Sequence, residues 1–304
     1  MSKGLDKEKE STILSIKLVV FVYWIILVDM AVQKVAKGQN FRFGFYDVDP
    51  KRRMEAIAQV GFDETMFWWG EEYELTDGTR FELFDLAEKV GLKVNTCHFP
   101  STHADWLWYD DERSKDFVKQ FDDACRECGE RGVKNLVLHL TKKLITPEPN
   151  SNGIVNFSRM LEAAKRHNVV IAIENTRFLR YNDFILQHFG RDAHIGFCYD
   201  CGHNNAYTPD EQPLEKYGDM LVTTHIHDNI GAVGSMPDQH HMMGEGNVDF
   251  DKVFLLLKHY GAERYNLESY CNESSRYYGK LSVEEFLETS FCKLSEQMEK
   301  CGIE

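Results

Sequence analysis

Six apolar runs in this 304-residue chain end in a residue that can hold a proton or a cation. They close on His98 (NTCH), His139 (LVLH), Glu174 (IAIE), Asp200 (FCYD), His225 (VTTH) and Glu268 (NLE). His203 follows Asp200 by three residues, and a loop downstream reads Asp238-Gln239-His240-His241-Met242-Met243-Gly244-Glu245-Gly246. Taken singly, a His ending a strand serves as a hydrogen-bond partner, and a Glu after an apolar strand caps the next helix. Together they point elsewhere. Buried carboxylates are costly without a compensating charge. Three carboxylates and an imidazole (Glu174, Asp200, Glu268 and His225) make a net negative pocket that a divalent cation neutralises. Oxygen and nitrogen ligands in this mix suit Mn²⁺, Co²⁺, Zn²⁺ or Mg²⁺.

The elements that must present these residues alternate short β-rich runs with longer amphipathic stretches, the pattern of repeated βα units. Strands are expected at 41–46, 63–69, 93–98, 135–140, 169–174, 195–200, 222–227 and 265–268. Helices are expected at 50–60, 81–90, 116–131, 157–167, 251–260 and 282–300. Asp49 precedes Pro50 as an N-cap, and Ser282-x-x-Glu285 forms a capping box. Gly61, Gly91, Gly132 and Gly261 stand where a left-handed C-cap wants glycine. Residues 39–304 divide into eight units of about 33 residues, the size of a (β/α)8 repeat. A doubly wound sheet also alternates strand and helix, but it gathers ligands only at its switch point. A barrel gathers every strand end into one mouth. The expected fold is therefore an α/β chain forming a single-domain (β/α)8 TIM barrel over 39–304, with residues 1–38 as an extension.

Composition narrows the partners. The net charge is −14, and no run of Lys and Arg tracks a phosphate backbone, so nucleic acid is disfavoured. Eight cysteines are scattered rather than clustered, which argues for reduced thiols in a cytoplasmic protein. Cys125/Cys128 and Cys198/Cys201 have C-x-x-C spacing, but the first pair falls inside a helical pattern. Residues 18–28 (LVVFVYWIILV) are an unbroken apolar run of 11, against the roughly 20 residues of a membrane span. Membrane contact through residues 11–30 is thus not favoured, beside an extension outside the fold or a helix packed on the barrel. The aromatics Phe67-Trp68-Trp69 and Trp106-Leu107-Trp108-Tyr109 suit packing under a loop, an apolar wall against a ligand, or a homo-oligomer interface.

On the motifs IGFCYDCGHNN (195–205), HIHDN (225–229) and DQHHMMGEGNVDF (238–250), the chain resembles the sugar phosphate isomerase/epimerase family. That family shares a xylose-isomerase-like barrel with the apurinic-site endonucleases. The resemblance spans about residues 40–300. It implies that Glu174, Asp200, His225 and Glu268 hold one divalent metal, and that His203 contacts substrate oxygens. It also implies an acid–base pair, Glu174 and Glu268, moving a proton beside a carbonyl of a small sugar or sugar phosphate through an enediolate. Asn175, Thr176, Arg177 and Trp68 are further candidates for substrate contact. Two other enzymatic readings stand beside it. One is a sugar or keto-acid dehydratase (a lyase). The other is a multi-zinc apurinic-site endonuclease-like phosphodiesterase, since His98, His139, Glu174, Asp200, His203, His225, Asp238, His240 and Glu268 match that family's nine ligands. The acidic loops at 69–73 and 109–112 weigh against the nuclease, because a DNA strand wants cations there. A metal-bound barrel that binds sugars or a partner protein without turnover is the non-enzymatic reading, and replacing either Glu with Gln separates it.

Overall fold

The computed structural model describes residues 35–70, 79–231 and 237–304. The apolar run and the rest of residues 1–34 lie outside them, as do residues 71–73 of the first acidic loop. Eight parallel strands make the barrel: β1 (Ala36–Asn40), β2 (Glu64–Trp68), β3 (Lys93–His98), β4 (Asn135–Leu138), β5 (Val170–Glu174), β6 (Ile195–Asp200), β7 (Leu221–His225) and β8 (Arg264–Leu267). Each pairs with its sequence neighbour from β1 to β7, and β8 pairs with β1. Between β7 and β8 the closure is thinner. Ile226 donates to the carbonyl of Asn266 at 2.8 Å, Glu268 donates back to that of Ile226 at 2.9 Å, and Thr224 Oγ1 bonds the carbonyl of Arg264.

The first strand corrects the sequence reading. It runs over Ala36–Asn40 rather than 41–46, so the barrel begins ahead of residue 39. AKGQN lacks β-branched residues because its inward position faces a polar floor. A Cβ at Gly38 would lie 1.9 Å from Asn266 Oδ1. The Asn266 amide bonds Thr223 Oγ1, which also meets Thr96 Oγ1. Only a glycine leaves room there. Phe41 and Phe43, expected in the strand, are instead fully buried in the core beyond its end.

Helices cover the outside. Helices α1 (Pro50–Val60), α2 (Arg80–Val90), α3 (Glu112–Glu130) and α4 (Ser151–His167) are followed by α5 (Arg180–Phe189), α6 (Cys201–Tyr207) and α7 (Pro213–Tyr217). Then come α8 (Phe250–His259) and α9 (Val283–Lys300). Asp49 and Ser282 cap α1 and α9 as their sequences require, the latter with both halves of its capping box. The four glycines past the helix ends all have positive φ. No side chain caps the start of α5, so its sequence carried no start signal. Trp108 and Phe67 are buried as packing rather than set at the mouth. Trp108 lies against Gly153 and donates to the carbonyl of Leu140.

Candidate metal centre

The strand ends, the start of α6 and the loop before α8 deliver four carboxylates and six imidazoles to one cluster, buried except for the partly exposed Asp238 and His240: Glu174, Asp200, Asp238 and Glu268 with His98, His139, His203, His225, His227 and His240. All nine residues expected from the sequence are there. Glu174, Asp200, His225 and Glu268 each offer a ligand atom, all within 4.8 Å of one another.

Local structure explains how each arrives. Asp200 ends β6 and is also the N-cap of α6, accepting from His203 N at 2.6 Å, which sets His203 one turn above it. Gly202 between them is obligatory, because a Cβ there would sit 1.9 Å from Cε1 of His227. The Asp238–His240 loop is built on Asp228. Its carboxylate accepts from the backbone N–H groups of Asn229, Gly244, Gly246 and Val248. His240 itself is held at φ 51, a left-handed conformation that a bulky side chain rarely adopts. It stacks between His227 at 3.9 Å and Tyr270 at 4.6 Å.

Glu174 is the centre of the network. Oε2 lies 2.8 Å from His139 Nε2 and 3.2 Å from His98 Nε2. Oε1 lies 3.0 Å from His203 Nδ1 and 3.2 Å from His225 Nδ1. Glu268 presents Oε2 to the same His225 nitrogen at 3.1 Å, while Oε1 accepts from Asn40 Nδ2. Asp238 Oδ2 stands 3.2 Å from His203 Nε2 and 3.3 Å from His240 Nε2.

Electrostatics follow from that geometry. Burial raises the Glu174 carboxyl, but His139 and His225 outweigh it and hold it well below the usual range. Burial likewise opposes ionisation of Asp238, and His240 and His203 overcome it. Burial pulls His139 down to about 4. It also pulls on His240, yet Asp238 and Glu268 raise that imidazole to about 9.

The donor set fits a divalent cation. His98, His203 and His240 each place Nδ1 within 3.0 Å of a backbone carbonyl, those of Phe99, Asn175 and Glu268. A carbonyl only accepts, so those nitrogens carry the proton. In the neutral ring Nε2 then points its lone pair at a carboxylate. Imidazoles anchored this way, with the free nitrogen turned to anions, are arranged as metal ligands are. Asp238 Oδ1 is moreover buried with no hydrogen-bond partner. No cysteine belongs to any metal-capable group among the described residues, and all eight thiols are free.

The family of xylose isomerase-like TIM barrels matches residues 54–282. The chain belongs to that family. The chain is 26% identical to the uncharacterized protein y4fM of Sinorhizobium fredii over 247 residues, 69% of this chain and 77% of that protein. It is 28% identical to the uncharacterized protein MJ1311 of Methanocaldococcus jannaschii over 224 residues, 68% and 74% of the two. Among solved structures, it resembles a zinc-bound IolI protein with a TM-score of 0.70 at 19% identity, covering 87% of this chain and 98% of the other. The D-allulose 3-epimerase of a Methylomonas species, in complex with D-allulose, superposes with a TM-score of 0.67 at 15% identity, covering 87% and 97%. The 3-keto-D-glucoside 4-epimerase YcjR of E. coli gives 0.66 at 18%, covering 86% and 100%. At these identities the likeness to the solved structures is one of fold.

This barrel's mouth is a cavity of about 260 Å³ whose lining includes Arg42, Trp68, Lys142 and Tyr270 as well as the histidines. Trp68 stacks flat on His98 at 4.0 Å, so it does face the site. Asn175 does not. Its amide is spent on the backbone of Asp200, donating to O and accepting from N at 2.8 Å each, which makes it a clamp between β5 and β6. Arg177 stacks on Tyr207 at 3.9 Å and is not among the cavity residues. Sequence reasoning missed His227, although in the strand expected at 222–227 positions i and i+2 put it on one face with His225. It missed Asn40 because the first strand was placed too late.

Proposed function

We propose that this protein is a divalent-metal-dependent isomerase or epimerase acting on a small sugar or sugar phosphate. The observation that carries the reading is the convergence of Glu174 and Glu268, from strands three places apart in the barrel, on one His225 nitrogen beneath a small cavity. Glu174, Asp200, His225 and Glu268 would hold the cation. When bound, it supplies Lewis acidity toward a carbonyl and the adjacent hydroxyl, so that the C–H between them becomes acidic.

The residues do the rest. Glu268 has one oxygen fixed by Asn40 and the other directed at the cavity base, the disposition of a base that takes a proton from carbon. Glu268 would return that same proton to the neighbouring carbon for aldose–ketose exchange; for epimerisation Glu174, receiving a proton from His139 at 2.8 Å, would protonate the other face while Glu268 releases the one it took. Trp68 walls the cavity and excludes water from the enediolate. Arg42 and Lys142 at the lining suit an oxygen-rich or phosphorylated substrate.

The test is to load the metal-depleted protein with Mn²⁺, Co²⁺, Zn²⁺ or Mg²⁺ and incubate it with ketoses and their phosphates in D2O. Deuterium should appear at the carbon beside the carbonyl. No exchange with any sugar, or exchange undiminished in Glu268→Gln, overturns the reading. A second reading, a multi-metal phosphodiesterase, draws support from the convergence of all nine expected ligands. Close to three metals per chain, with cleavage of abasic DNA and no sugar exchange, would establish it instead.

A further inference from the structure

Beside the metal cavity lies a second, larger one of about 690 Å³, and Tyr270 forms a wall of both. The metal cavity, at about 260 Å³, is below the roughly 300–1,000 Å³ of typical small-molecule sites, while the outer groove falls inside that range. We propose that the outer groove is a subsite for a second sugar ring, joined glycosidically to the ring that reacts. The substrate is then a disaccharide or glycoside rather than a free monosaccharide. The inference rests on the sugar-isomerase reading and narrows its substrate class.

The groove has the chemistry of a sugar site. Tyr46 and Tyr278 line it, half exposed at 50% and 52%, with Phe45 and Tyr270 beside them. An aromatic face is electron-rich and attracts the polarised C–H face of a pyranose. Asp47 and Glu273 at the same groove offer acceptors for hydroxyl groups, while the Asn272 amide is turned onto Ser274. Those carboxylates also repel a phosphate or a nucleic acid, which leaves a neutral polyol as the fitting occupant.

The groove is also preformed. Gly44 bridges Cys271, and Cys271 N donates to the carbonyl of Phe43 at 2.8 Å, tying its two walls together at the base. A Cβ at Gly44 would come within 2.6 Å of the Cys271 carbonyl, so the approach is as close as backbone allows. Three non-glycine residues among those described have positive φ. Asn168 caps α4, whereas Phe45 and His240 lie on the two sides of Tyr270, in the groove and in the metal cavity. Strain of this kind gathers at ligand sites.

Calorimetric titration of the metal-loaded protein with fructose, maltulose and lactulose tests the proposal, alongside Tyr278→Ala and the double variant Tyr46→Ala/Tyr278→Ala. At least one disaccharide should bind about tenfold more tightly than fructose, and the double variant should bring it within about twofold of fructose, whose affinity stays unchanged. No preference for either disaccharide, or a preference that the variants leave intact, overturns the subsite. Deuterium exchange in fructose without disaccharide preference keeps the isomerase reading and sinks the subsite. Disaccharide preference without any exchange does the reverse. Light scattering on the same variants covers a second copy of the chain, and a dimer that the double variant dissociates overturns the proposal in favour of a subunit interface. Tyr46 and Tyr278 are half exposed, so circular dichroism of the variants should match the parent.

Discussion

Asn40 Nδ2 donates to Glu268 Oε1 at 3.1 Å, a bond between the last residue of β1 and the first residue past β8. It fixes the carboxylate whose other oxygen faces His225 at 3.1 Å and, more distantly, His240 at 3.9 Å. Asn40→Ala leaves that buried oxygen without its donor, at a cost of about 1–3 kcal/mol. Turnover should fall more than tenfold while metal content by mass spectrometry is unchanged. Asn40→Asp, which sets a second carboxylate against the first, should be worse than Ala in rate. Equal rates for all three proteins would remove Asn40 from the site.

Glu174 and Glu268 should fail in different ways. Glu174 touches four imidazoles and so holds the centre together. Glu174→Gln should weaken metal binding by roughly 10–100-fold or more, measured by competition with a chromophoric chelator. Glu268→Gln should retain most of the metal and lose turnover. The opposite pattern would exchange their roles.

Metal removal should destabilise the fold. The cation offsets mutual repulsion among buried carboxylates, and a ligand at a thousandfold excess over its Kd adds about 4 kcal/mol of stability. Chelation should therefore lower the thermal midpoint, and re-addition of the metal should restore it. A midpoint indifferent to chelator is the adverse result.

Metal affinity should fall as pH falls. Burial lowers His240, but Asp238 and Glu268 outweigh it and keep its proton on up to about pH 9 in the metal-free protein. Burial also opposes the charge on His225, the one imidazole among the four proposed ligands, yet Cys198, Glu268 and Glu174 outweigh it and hold that group well above the usual range. A raised imidazole pKa means that the proton is held below that pH and must leave before the nitrogen coordinates. Binding should thus release protons, strengthening from pH 6 toward 9, as calorimetry in buffers of different ionisation enthalpy will read. Affinity that rises on acidification contradicts the ligand assignment.

Two glycines should separate site from scaffold. Gly202→Ala drives a Cβ into His227 and should disturb metal binding. Gly153→Ala drives one into Trp108, 2.2 Å from its ring, away from the site. Overpacking there should cost about 1–3 kcal/mol in chemical denaturation with metal affinity intact.

The residues reveal where the sequence was enough. Asp200 and His203 were legible because one local device, an N-cap followed by a turn of helix, places both. His98, His139, Glu174 and His225 were legible because each ends an apolar strand, and barrel strands all open on one mouth. That logic rests on local periodicity, which a chain carries in its own order of residues. Asn175 looked like a substrate ligand, and only the register of β5 against β6 showed its amide turned onto Asp200. The polar first strand, the Asp228 scaffold beneath His240 and the groove beyond Tyr270 all depend on contacts between segments distant in the chain. The residues that meet there leave no repeating signature in either partner alone. The sequence by itself determined the barrel and the ring of metal-capable side chains. The tertiary structure decided which of them face one another, because distance and direction between strands are properties of the closed sheet.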